Sequence, residues 1–227
     1  AAINRTQERL ATGLKVNSAV DNSVAFFDAA TLTGRATALQ LLKDDIDQAV
    51  SSVQSAVDGI EAIEDIVEQM KGLALSAKSD SSSTNRSKAA VQFNDLKSQL
   101  DNLANDSSFK GTNLLKGSPG NLKITFSEDG SSTLTVSGVA SDASALSITT
   151  AAADWAADTN VDFAVNDLDS ALTTLRSTAL TLGSNASVIA LRLDFADTLI
   201  TALQEGAGKL VNADLNAESA NLLTLQT

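Results

Sequence analysis

The chain has 227 residues, with 16 Lys plus Arg against 28 Asp plus Glu, a net charge of −12. That charge repels nucleic-acid phosphates and anionic lipid, so nucleic-acid binding is not expected. Cys and His are both zero, which excludes disulfides, thiol catalysis, zinc–thiolate sites and the commonest general base. Pro is one, Trp is one, Tyr is zero and Ala is 36, a composition suited to long helices with thin, closely packed cores. No stretch approaches the roughly 18 consecutive apolar residues of a membrane span, and no basic-then-apolar leader opens the sequence. Neither membrane insertion nor a general secretory route is expected.

Weak helical pattern begins at Phe26, Phe27, Ala30 and Leu32 and crosses Gly34. It strengthens into a heptad seam at Leu39, Leu42, Ile46, Ala49, Val53, Ala56, Ile60, Ile63, Val67, Met70 and Ala74. All eleven positions are apolar, so the spacing predicts a helix with one buried stripe about 54 Å long. The polar run 79–84 reads as a loop holding several N-cap candidates. A shorter seam follows at Ala89, Phe93, Leu96, Leu100 and Leu103, of a length suited to an antiparallel return. Phe109-Lys110-Gly111 reads as a turn.

From Gly117 to about Asp158 the period changes. Residues 122–126 and 133–139 alternate about Glu128-Asp129-Gly130, a β-hairpin signature. Residues 145–149 suggest a third strand. A lone hairpin is marginal, so packing on the helices or on Trp155 is expected. Heptad spacing then returns at Val161, Val165, Leu168, Leu172, Leu175, Ala179, Leu182, Ala186, Ile189, Leu193, Ala196, Ile200, Leu203, Ala207 and Leu210. This stripe spans about 75 Å. Gly183 marks a position for a local bend. Leu180, Leu191, Phe195 and Leu199 widen the stripe, as suits a bundle.

The fold class expected is mainly α: an elongated antiparallel bundle of long heptad-patterned helices with a small antiparallel β insertion. Residues 1–115 plus 159–227 form a discontinuous helical domain, and 116–158 form the insertion. The candidate helical core is Leu39, Leu42, Ile46, Val53, Ile60, Ile63, Val67, Leu96, Leu100, Leu172, Leu175, Leu182, Ile189, Leu193, Ile200 and Leu203.

Asp44, Asp45 and Asp47, and later Glu61, Glu64, Asp65 and Glu68, spread around a helix axis rather than converging, so a solvated face is expected and not a calcium loop. Glu128-Asp129-Gly130 reads as turn chemistry. No constellation points to catalysis, a cofactor or a metal: paired carboxylates for glycosidase work want a pocket with an aromatic platform. The Ser/Thr-rich stretches 79–84 and 127–137 read as polar loop and strand chemistry, with O-linked sugar as the alternative.

Four segments resemble bacterial flagellin. Glu8 to Ala19 (Glu-Arg-Leu-Ala-Thr-Gly-Leu-Lys-Val-Asn-Ser-Ala), continued by Asp21-Asn22, is similar to that family's N-terminal motif. Glu68 to Ala77 is similar to the end of its first long helix. Phe109-Lys110-Gly111-Thr112-Asn113-Leu114-Leu115 resembles its Phe-Asn-Gly-x-x-Leu-Leu turn. Leu210 to Ala220 resembles its acidic C-terminal segment. Together they cover roughly 1–115 and 165–227.

The resemblance implies a structural filament subunit with no catalysis. It implies other flagellin subunits, an export chaperone and the flagellar type III export apparatus as partners, and an extracellular place in the flagellum. It also implies that a few dozen residues at each end, which pair in the filament's inner tube, lie outside this chain, which is then expected to be monomeric. A flagellin-like adhesin or polymer-binding receptor at the cell surface is the alternative; a cleft lined by Lys and Arg would mark it. The family further carries a face recognised by a vertebrate Toll-like receptor, with the pattern Gln-Arg-x-Arg-Glu-Leu and a Glu on the next helix. The corresponding positions here are Glu68-Gln69-Met70-Lys71-Gly72-Leu73 and about Gln92. Gln69, Lys71, Leu73 and Gln92 thus form a candidate interaction face, with Gln in place of the family's first Arg and of its Glu.

Overall fold

A computed structural model describes residues 2–226, with Gln226 described in its backbone only. In chain order it contains α1 (Ala2–Thr12), α2 (Ser23–Ser79), α3 (Ser83–Asp106), β1 (Ser108–Phe109), β2 (Thr112–Asn113), β3 (Asn121–Thr125) and β4 (Thr133–Ser137). A single 3₁₀ turn (Ala152–Trp155), α4 (Asp158–Val211) and α5 (Leu215–Gln226) complete it. β1 pairs antiparallel with β2, and β3 with β4 in the register Leu122–Val136 and Ile124–Leu134.

The chain divides into two compact units. One comprises 1–44, 126–132 and 192–227; the other comprises 45–125 and 133–191. In the second unit the α2 stripe is closed to solvent: Ile46, Ala49, Val53, Ala56, Ile60, Ile63, Val67, Met70 and Ala74 are all buried. It packs with the stripe of α4, where Val161, Leu168, Leu172, Leu175, Leu182 and Ile189 are buried. The two helices run antiparallel here, and ion pairs mark their register. Lys71 meets Asp169 at 2.5 Å, Lys78 meets Asp162 at 2.5 Å and Arg176 meets Glu64 at 3.8 Å; the partner numbers total 240 each time. In the first unit the core joins Ala36 and Leu39 to Ile200 and Leu203, with Leu32, Leu42 and Leu199 packed against them.

Several expectations need correction. Residues 145–147 lie in turns and 148–149 in irregular chain, with no strand: Ile148 N–H donates to Ala143 O and Leu146 N–H to Asp142 O, and Leu146 and Ile148 are buried. Leu180, Leu191 and Phe195 do not widen the buried stripe: they are 76%, 69% and 59% exposed. The α3 seam is shifted at its ends, since Ala90 and Ala104 are buried, with Phe93 and Leu100, while Leu96 is half-buried. Two short helices, α1 and α5, complete the first unit. They pack on each other and are joined by Arg9 Nη1 donating to Glu218 at 2.8 Å.

Burial grades the cost of truncation. Ile60 is fully buried and Leu193 half-buried. Ile60→Ala should cost about 3–4 kcal/mol and Leu193→Ala about 1 kcal/mol. Urea denaturation followed by circular dichroism reads both. Equal costs would contradict the burial assignment.

Candidate functional site: loop anchors and exposed helical faces

In the first unit the segment Thr12 to Asn22 is a chain of backbone anchors. α1 ends because Gly13 adopts φ 72° and its N–H donates to Arg9 O, a left-handed cap that a Cβ would strain. Leu14 then bridges Asn212, Lys15 and Val16 N–H both donate to Val211 O, and Ala213 N–H donates to Gly13 O. The two connectors beside α1 and α5 are therefore stitched together. Next, Asp21 Oδ2 accepts from Asn17 N–H, Ser18 N–H and Ser18 Oγ. The backbone donors of Ser18 and Asn17 hold its carboxyl below the usual carboxylate range. Asn22 Oδ1 accepts from Ala25 N–H, so Asn22 caps the start of α2.

In the second unit, Lys110 (φ 47°) and Gly111 (φ 84°) form the two-residue bend between β1 and β2. Asn113, buried beyond it, uses its whole amide. Nδ2 donates to Ala104 O and Asn105 O, satisfying the end of α3, and Oδ1 accepts from Leu115 and Lys116 N–H. Leu114 and Leu115 are thereby delivered into the core. The turn lies flush on α2 at Gly59, where a Cβ would stand 2.6 Å from Ser107 Oγ and 2.9 Å from Leu115 Cδ1. Asn113→Ala should cost about 3 kcal/mol, because two carbonyls and two N–H groups lose their partner together. Asn113→Asp should recover part of it; chemical denaturation of the three proteins decides.

The hairpin tip belongs to the first unit. Glu128 accepts from Arg35 Nε at 2.6 Å, and the Arg192 guanidinium lies 5.3 Å over the Phe126 ring. Hydrogen bonds from Ser127 Oγ, Ser131 N–H and Ser131 Oγ pull Asp129 down to about 2. Its lowered value means that the turn gains from the carboxylate above pH about 4 and loses that gain as pH falls through about 2. Carboxyl chemical shifts followed by NMR should place its midpoint near 2, and Ser127→Ala with Ser131→Ala should return it toward 3.8.

Exposed apolar side chains stand on both long helices. The first unit carries Val24, Phe27 and Leu41 on α2; the second carries Leu180 and Leu191 on α4, three turns apart and about 20° apart in projection. The exposed face of α2 in the second unit is acidic, with Asp58, Glu61, Asp65 and Glu68 all exposed. Glu64 is half-buried, and that burial pushes its carboxyl up against the opposing pull of Arg176. The candidate interaction residues divide. Gln69, Leu73 and Gln92 are exposed, half-buried and exposed respectively, and Gln69 and Leu73 share a face of α2. Lys71 lies about 160° round the helix from Gln69, where it reaches Asp169 of α4. The groove around Lys71 and Arg176 also holds Glu68 and Asp169, so its two cations are already matched.

These features hold backbone and present helix faces; they define a helical scaffold protein. The family model of the bacterial flagellin N-terminal helical region matches residues 1–119. The chain is 32% identical to flagellin FljO of Caulobacter vibrioides over 232 residues, covering 99% of this chain and 82% of that protein. It is 27% identical to a flagellin of Brucella melitensis, again over 99% of this chain. The fold is similar to the crystal structure of Bacillus cereus flagellin, with a TM-score of 0.59 at 19% identity over 67% of this chain and 88% of that one. The chain belongs to the bacterial flagellins, and is a structural subunit of the flagellar filament.

Proposed function

We propose that the chain enters the filament by packing exposed faces of its helices against neighbouring flagellin subunits. The observation that carries this is the set of large apolar side chains left in solvent on α2 and α4, Leu41 and Leu180 among them, although both helices also bury a full stripe. Isolated exposed leucines are ordinary; several along helices of a filament subunit suit shallow contacts repeated by symmetry. In this reading residues 1–115 with 159–227 are the packing domain, and 116–158 are an outward insertion. The subunit travels through the flagellar type III apparatus with an export chaperone and works outside the cell, without catalysis. The surface-adhesin alternative is not favoured, and the matched cations of the Lys71 groove give it no support.

Production of Leu41→Glu and Leu180→Glu variants, each carried in the full-length flagellin that includes the terminal pairing segments, in cells lacking their other flagellins tests the packing role. Filaments should be short or absent by electron microscopy, while the purified variants melt within a few degrees of the parent, because the replaced side chains lie outside the cores. Full-length filaments in both would overturn it. The same reading extends to the Gln69, Leu73 and Gln92 face. With amides where the family pattern has charges, the flagellin-sensing Toll-like receptor should respond weakly, since a charged anchor in a buried contact is typically worth a few kcal/mol. A reporter-cell titration should show Gln69→Arg with Gln92→Glu raising the response; a strong response from the unaltered chain would refute the expectation.

A further inference from the structure

The corner where α3, the 3₁₀ turn and the start of α4 meet carries features that filament packing does not explain. Among the described residues, three buried side-chain polar atoms have no hydrogen-bond partner: Arg86 Nε, Arg86 Nη2 and Trp155 Nε1. All three are donors. Buried donors are normally paired, so an orphan asks for an explanation. Nε and Nη2 form the side edge of the guanidinium, two parallel N–H groups spaced to match a carboxylate or phosphate. The remaining nitrogen, Nη1, is engaged by Asp158 at 2.7 Å.

The two residues belong to one corner. Arg86 is tied to Asp158, three residues beyond Trp155. Trp155 packs edge-on against Phe93 with centroids 4.9 Å apart. Phe93 lies seven residues from Arg86 and therefore on the same side of α3. The Arg86 side chain is only 11% exposed and Trp155 is fully buried.

The segment covering this corner is strained. Ala153, Asp154 and Trp155 have φ of 47°, 51° and 54°. Three consecutive non-glycine residues in the left-handed region are costly, and such strain clusters where a segment must move or bind. Beside Trp155 lies a cavity of about 310 Å³, walled also by Thr149, Asn160, Phe163 and Asp167. It gives the turn somewhere to go.

We propose that Arg86 and Trp155 form an oxyanion site, closed by the turn 152–155 and entered when that turn relaxes. The ligand is a carboxylate or phosphate group held by the Arg86 side edge, with Trp155 in the turn that covers this corner. Its source is a small anion or an acidic side chain of a second copy of this chain.

Trp155 is the single tryptophan, so its emission reports the site. The chain is titrated with acetate and, separately, with inorganic phosphate, against chloride at matched ionic strength. In a second arm the protein concentration is raised in chloride alone. A saturable emission change in the first arm identifies a small anion; a concentration-dependent one in the second identifies a partner's carboxylate. Arg86→Lys keeps the charge and the bond to Asp158 but loses the fork, and should weaken half-saturation at least tenfold. Asp158→Asn removes the competing carboxylate and should bind as tightly or more tightly. Trp155→Phe should melt at or above the parent without anion and gain less from it. A flat response in both arms, an Arg86→Lys protein that titrates like the parent, or loss of the response in Asp158→Asn overturns the proposal.

Discussion

Burial of one apolar stripe along α2 is the constraint on which the structure rests. Outside that stripe the helix is mostly polar, with a few exposed apolar side chains such as Phe27 and Leu41, and an isolated helix of such composition has little stability in water. Its small members, Ala49, Ala56 and Ala74, let neighbouring backbone approach, while Ile60, Ile63 and Val67 supply the area removed from solvent. The long helices thus exist because they pair, and the surface they leave outside is free for other work.

The loops serve the same end by different means. Asn113, Asp21 and Asn22 are short polar side chains that replace missing backbone partners at helix ends and bends. Gly13 and Gly59 act through having no side chain: one permits a left-handed cap, the other close approach of a turn to a helix. Motifs that look like family signatures in the sequence are, in the structure, solutions to hydrogen-bond accounting where a long helix must start or stop.

The legible part of the sequence was whatever has a period. Heptad spacing located α2 and α4, and alternation with Asp129-Gly130 located the hairpin, because both patterns are local and repeat many times. Single residues with long-range partners carry no such pattern. Nothing in the neighbourhood of Arg86 announces Asp158, 72 positions away, and Asn113 is meaningful only beside the carbonyls of α3. Residues 145–149 alternate like a strand, yet Leu146, Ser147 and Ile148 N–H donate to carbonyls three to five residues back, so this stretch bonds locally instead of pairing. Heptad-flanking spacing points Leu180 and Leu191 inward, but both stand in solvent, because spacing alone does not fix the edge of a buried stripe.

The shared total of 240 in the pairs Lys71–Asp169, Lys78–Asp162 and Arg176–Glu64, with Arg176 also reaching Glu68 one turn on, joins 64–78 with 162–176 and has a genetic consequence. One residue inserted into either stretch would turn everything beyond it by about 100° and advance it by about 1.5 Å. The stripe would swing into solvent and each Lys would lose its Asp. Length can change there only if both strands of the hairpin of helices lengthen together, by amounts that restore the face. The connections around 127–131 and 140–157 carry no helical register, although Glu128 and the buried Leu146, Ile148 and Trp155 fix individual positions there. Growth and shrinkage of the gene in this region are therefore channelled into the connections, and the paired helices act as a ruler of fixed length.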